Sequence, residues 1–229
     1  MKKIIIAICL IQLFSLSIVA QRIKEDFHTK AYISRMDYFS KHPLTTGQIV
    51  FLGNSITEAG QWDKYFPEQQ PANRGINGDN TQGMLARISE ITDAKPNKIF
   101  IMAGINDISL GRNNKEILGN YRKIIRSIKK QSPKTQIYIQ SVLPINNDFN
   151  IYARLKGKES RIVSLNSKLK KLADTQKITF INLYPLYIDK DGKLQKEITA
   201  DGLHLFPEAY SKWVEKISTF VTDNNKDTF

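Results

Sequence analysis

Cysteine is all but missing from this sequence: Cys9 is the only one in 229 residues. It sits inside an apolar N-terminal run, Ile4 to Val19, broken only by Gln12, Ser15 and Ser17. Lys2 and Lys3 precede the run and Ala20 closes it, the order of a secretory signal peptide and its cleavage site. The run is short for a bilayer crossing, which needs about 20 residues. The expectation is a cleaved leader over 1–20 and a single domain over 21–229, secreted or periplasmic, with no stable membrane span. A chain beginning at Gln21 carries no thiol. That excludes disulfides, thiol nucleophiles and thiolate metal sites.

Histidine is scarce too, with residues at 28, 42 and 204 only. The first two precede the first predicted strand and read as surface or packing residues. Without them a metal centre lacks ligands, so no metal and no cofactor is expected. Internal repeats and low-complexity tracts are absent. The formal charge is +12, from 34 Lys and Arg against 22 Asp and Glu. The excess is spread over Arg122, Lys123, Arg126, Lys129, Lys130, Lys168, Lys170 and Lys171, on the polar faces of predicted helices. No compact basic run with interleaved aromatics marks a nucleic-acid surface, and no nucleic-acid partner is expected. Residues 53–57 are not Gly-x-Ser-x-Gly, which excludes the nucleophile elbow of an α/β-hydrolase.

What is present is an alternation of short apolar runs and amphipathic ones. Gln48–Leu52, Lys98–Ala103, Gln136–Leu143 and Ile178–Asn182 are rich in Ile, Val and Phe without strict alternation, as in strands covered on both faces. A weaker extended piece lies over Ala72–Gly75. Helical spacing joins Tyr32, Met36 and Phe39; Met84, Leu85, Ile88 and Ile91; Ile117 through Ile128, stopped at Ser132-Pro133; Ile162 through Leu172; and Tyr210 through Phe220, with Pro207 suited to a first turn. Strands alternating with helices predict an α/β fold: a three-layer, flavodoxin-like α/β/α arrangement with a central parallel sheet of about five strands.

In such sheets, working residues gather where loops leave the carboxyl ends of strands. Four polar clusters follow predicted strands: Gly53-Asn54-Ser55-Ile56-Thr57, Gly75 to Thr81, Gly104-Ile105-Asn106-Asp107, and Asp201-Gly202-Leu203-His204. Their chemistry is complementary. Ser55 can supply a nucleophile and His204 the base it needs. Asp201, three residues before His204, can orient the imidazole. Backbone N–H groups at Ser55 and Gly78 and the Asn106 side-chain amide can form an oxyanion hole. Each cluster alone has a plainer reading, as a helix cap or a turn.

Together, in this order, the clusters resemble the conserved blocks of the SGNH, or GDSL-type, hydrolase family. The stretches Asn73–Ile88 and Asp201–Tyr210 resemble, within it, the catalytic subunits of platelet-activating-factor acetylhydrolase and bacterial carbohydrate acetylesterases. The resemblance implies a flavodoxin-like fold and ester hydrolysis. It implies a triad of Ser55, Asp201 and His204, and an oxyanion hole of Ser55, Gly78 and Asn106. It also implies a small-molecule or glycan ester as the partner, with short acyl groups favoured. Asn54 departs from the Asp often found before the nucleophile. Pro144–Lys158, which holds Tyr152 and Arg154, follows a strand and can wall a pocket or be a solvated connection.

Overall fold

The computed structural model describes residues 27–223; the expected leader lies outside them. Five strands form one sheet: β1 (Ile49–Gly53), β2 (Ala72–Gly75), β3 (Lys98–Met102), β4 (Gln136–Gln140) and β5 (Thr179–Ile181). Their spatial order is β2-β1-β3-β4-β5 and every pairing is parallel. This is the flavodoxin-like order, whose direction of winding reverses beside β1. β1 and β3 are buried along their whole length, which explains why their sequences run apolar instead of alternating.

The helices are α1 (Lys30–Lys41), α2 (Ser55–Ala59), α3 (Trp62–Tyr65), α4 (Thr81–Ala86), α5 (Ile88–Asp93), α6 (Ile105–Ser109), α7 (Asn114–Gln131), α8 (Glu159–Gln176) and α9 (Tyr210–Thr222). Among the described residues no helix is long and apolar enough to cross a membrane. Arg122, Lys123, Arg126, Lys129 and Lys130 of α7 and Lys168, Lys170 and Lys171 of α8 lie exposed, as expected. Tyr121, Ile124, Ile128, Leu165 and Leu169 turn inward.

A ladder of rings crosses one face of the sheet. Phe51, Phe100 and Tyr138 occupy one register row and stack at 4.9 and 4.6 Å. Trp62 of α3 stacks on Phe51 at 4.1 Å and meets Trp213 of α9 edge-on at 5.1 Å. Both indoles are buried. Burying each such ring contributes roughly 2–3 kcal/mol, so this seam fixes α3 and α9 against the sheet.

Two elements differ from the sequence expectation, each for a side-chain reason. The strand expected over Gln136–Leu143 stops at Gln140. The Val142 N–H and C=O pair instead with the Asn166 side chain of α8, both at 2.8 Å. The helix expected across Met84–Ile91 is broken at Arg87, whose backbone has φ −107 and ψ 10. The Arg87 guanidinium is drawn to Asp79 and to the ends of β1 and β2.

Candidate active site

The four polar clusters all leave the carboxyl ends of strands or the loops beyond them, on one rim of the sheet. Asn54 caps α2: its side-chain oxygen accepts from Ile56 N at 3.0 Å. An aspartate would serve the same cap, and the cap explains how Asn54 is accommodated, buried, at this position. Capping by Asn54 puts Ser55 in the first turn of α2, half-buried. One residue on, the Ile56 carbonyl accepts from Tyr210 Oη at 2.6 Å. The start of α9 is thereby tied to the start of α2 across 154 residues.

Ser55 Oγ lies 2.9 Å from His204 Nε2. His204 Nδ1 lies 2.6 Å from Asp201 Oδ2. An ionised carboxylate only accepts, so Nδ1 carries the proton and a neutral ring leaves Nε2 to accept from the serine. Asp201 Oδ1 is held separately, by the backbone N–H groups of His204 (2.8 Å) and Leu203 (2.9 Å). Burial pulls the Asp201 carboxyl upward. The hydrogen bonds from His204, Tyr152 and Leu203 outweigh it and hold the group well below the usual carboxylate range. Gly202 makes the turn possible. It has φ +80, and any side chain there would collide with the Asn146 carbonyl.

Gly78 and Asn106 form a second group. Gly78 has φ +76 and its outward side is open. Asn106 Nδ2 donates to the Asp79 carbonyl at 2.8 Å, leaving the second N–H of that amide for another acceptor. The loop is anchored to β1 by Ile76 N to Gly53 O, 3.1 Å. It is anchored to the block after β3 by Thr81, whose N and Oγ1 both donate to the Asp107 carboxylate at 3.0 and 2.6 Å.

Beneath Gly78 lies a fully buried ion pair. Arg87 donates twice to Asp79 Oδ2, at 3.1 and 2.8 Å. Burial pushes the Asp79 carboxyl up to about 6, against the pull of Arg87. A buried pair adds little net stability, but breaking one strands a charge, at a cost of about 3–5 kcal/mol. Asp79→Asn is therefore expected to lower stability by about that amount, read as a lower urea midpoint at neutral pH. An unchanged midpoint would show that solvent or a neighbour takes up the Arg87 charge.

The structure thus joins Ser55, His204 and Asp201 in one hydrogen-bonded line and sets Asn106 against the Asp79–Asn80 peptide, one residue beyond Gly78. His42 stacks on Tyr38 and His28 lies tilted against Phe27, both outside that line. Tyr152 is the contact that sequence reading left in a loop: its hydroxyl donates to Asp201 Oδ2 at 2.8 Å. The only signal for it is its place after β4, in a segment that the sequence leaves open as pocket wall or solvated connection.

The model of the GDSL-like Lipase/Acylhydrolase family matches residues 51–212. Platelet-activating factor acetylhydrolase IB subunit alpha2 of Rattus norvegicus is 25% identical over 170 residues, 72% of this chain and 71% of that protein. A GDSL-like lipase from Bacteroides thetaiotaomicron superposes with a TM-score of 0.73 at 26% identity, covering 83% of this chain and 96% of that one. A carbohydrate esterase family 3 protein from Talaromyces cellulolyticus shares the fold, with a TM-score of 0.62 at 15% identity over 77% and 96% of the two chains.

Proposed function

This chain belongs to the GDSL-like lipase/acylhydrolase family, and on that premise we propose that it is a serine esterase acting on short-chain, chiefly acetyl, esters of carbohydrates. The single observation that carries the reading is the unbroken line from Ser55 Oγ through His204 to Asp201.

Each step uses an atom of that line or of the loops beside it. Ser55 Oγ attacks the ester carbonyl carbon as His204 Nε2 takes the hydroxyl proton. The carbonyl oxygen becomes an oxyanion, and the donors assigned to it are the Ser55 and Gly78 N–H groups and the second N–H of the Asn106 amide. Asp201 stabilises the imidazolium across the 2.6 Å bond. The C–O bond to the alcohol breaks, and His204 returns the proton to the departing oxygen. Water then attacks the acyl-serine, again giving its proton to His204, and the carboxylic acid leaves with Ser55 regenerated.

Substrate class rests on several supports: the acetylhydrolase relative, the esterase that shares the fold, and the want of a long apolar loop in the sequence. The N-terminal pattern of a secretory leader supports a site of action outside the cytoplasm, where O-acetylated glycans are found. A panel of p-nitrophenyl esters of rising chain length, run beside defined O-acetylated sugars, tests the proposal. The expected kcat/KM is highest for acetyl and falls at least tenfold by the eight-carbon chain, about 1.4 kcal/mol of discrimination. A maximum at long chains would instead mark a lysophospholipase or thioesterase.

A further inference from the structure

Asp201 Oδ2 accepts two hydrogen bonds, not one. His204 Nδ1 reaches it at 2.6 Å and the Tyr152 hydroxyl at 2.8 Å. The same hydroxyl oxygen lies 3.2 Å from Nδ1, and the two rings meet nearly edge-on, with centroids 6.0 Å apart. The three polar atoms form a closed triangle. The side chains that meet the imidazole nitrogens are Ser55, Asp201 and Tyr152.

Several contacts hold the loop that carries Tyr152. The Asn146 N–H donates to Gly202 O and the Asn146 amide to Leu194 O, both at 2.8 Å. Asp148 pairs with Lys193 at 2.7 Å and Lys196 at 3.0 Å. Leu155 is buried and its N–H donates to the Tyr152 carbonyl at 2.8 Å. The phenol itself is pushed up to about 12, by burial first and then by its bond to Asp201. It therefore stays a donor throughout the working range of a histidine base.

We propose that Tyr152 is a positioning residue that acts through Asp201, drawing charge from Oδ2 and locking the imidazole plane toward Ser55. The proposal rests on the triad reading above. A donor shared with the carboxylate weakens its hold on the imidazolium, so the base returns its proton to the leaving alcohol more readily. The device also ties the base to the segment that follows β4, 49 residues before Asp201.

Tyr152→Phe tests this with the ring kept. The expected result is a kcat about tenfold lower with KM within about twofold. The acid limb of kcat/KM should move up by on the order of half a pH unit, because Oδ2 with one donor fewer holds the imidazolium harder. In an Asp201→Asn background the same substitution should change kcat by less than about twofold, since the atom it acts through is gone. A superimposable pH profile overturns the proposal. So does an equal effect in the Asp201→Asn background, or a rise in KM alone. A further readout is independent of turnover: the low-field proton resonance of His204 Nδ1–H should move in Tyr152→Phe, and an unmoved resonance overturns the proposal by itself. Failure of the triad reading is recognised separately, by wild-type protein that neither hydrolyses esters nor takes a fluorophosphonate on Ser55.

Discussion

Ser55→Ala is expected to lower kcat on p-nitrophenyl acetate by about 10⁶-fold, to the level left by binding and the oxyanion donors alone. Covalent labelling by a fluorophosphonate should disappear with it. The fold should stay. The hydroxyl is half-buried and its side-chain bond is the one to His204, so its loss costs at most about 1 kcal/mol of stability. Thermal unfolding of the variant separates the two effects. A variant that keeps more than a tenth of wild-type turnover would move the nucleophile elsewhere and overturn the proposed mechanism.

Asp201→Asn is expected to lower kcat by about 10⁴-fold, through the tautomer of a neighbour. The Leu203 and His204 N–H groups already hold Oδ1. An asparagine keeps its oxygen there and turns its NH₂ toward His204 Nδ1. That nitrogen must then accept, which moves the ring proton to Nε2, against Ser55. The substitution also has a stability signature. The Asp201 carboxyl is depressed below 3.8, its ordinary value. Its contribution to stability is fully present above that value and is lost as the pH falls through the depressed one. The Tm gap between wild type and Asp201→Asn should therefore narrow below about pH 4, as scanning calorimetry would read. A gap independent of pH would show that the carboxylate is not specially stabilised in the folded chain.

Much of the fold was legible because burial writes itself into composition. β1 and β3 are covered on both faces and read as Ile, Val and Phe runs. α7 keeps Ile117, Tyr121, Ile124 and Ile128 at helical spacing because one stripe alone is buried. Where periodicity misled, a polar side chain from elsewhere had taken over the backbone. Val142 looks like strand, but Asn166, 24 residues later, occupies its N–H and C=O. Arg87 falls within a helical stripe, but a buried carboxylate eight residues earlier bends the chain there. The sequence nominates Ser55, Gly78, Asn106, Asp201 and His204 because their blocks follow strands in a set order, and the structure brings Ser55, His204 and Asp201 of that set within hydrogen-bond reach. Tyr152 was not legible, because its contact with Asp201 spans 49 residues and nothing in a loop tyrosine's neighbours distinguishes a donor from a solvated ring.

The chain holds two tryptophans, and they touch. Trp62 and Trp213 stand edge to face at 5.1 Å, the first one turn beyond α2, the second one turn into the helix whose Tyr210 grips Ile56. All the indole light of the described chain therefore comes from one seam beneath the nucleophile-bearing turn. Emission excited selectively at the indoles reports on that seam, so a ligand that shifts α9 against α2 has a built-in optical signal with no label attached.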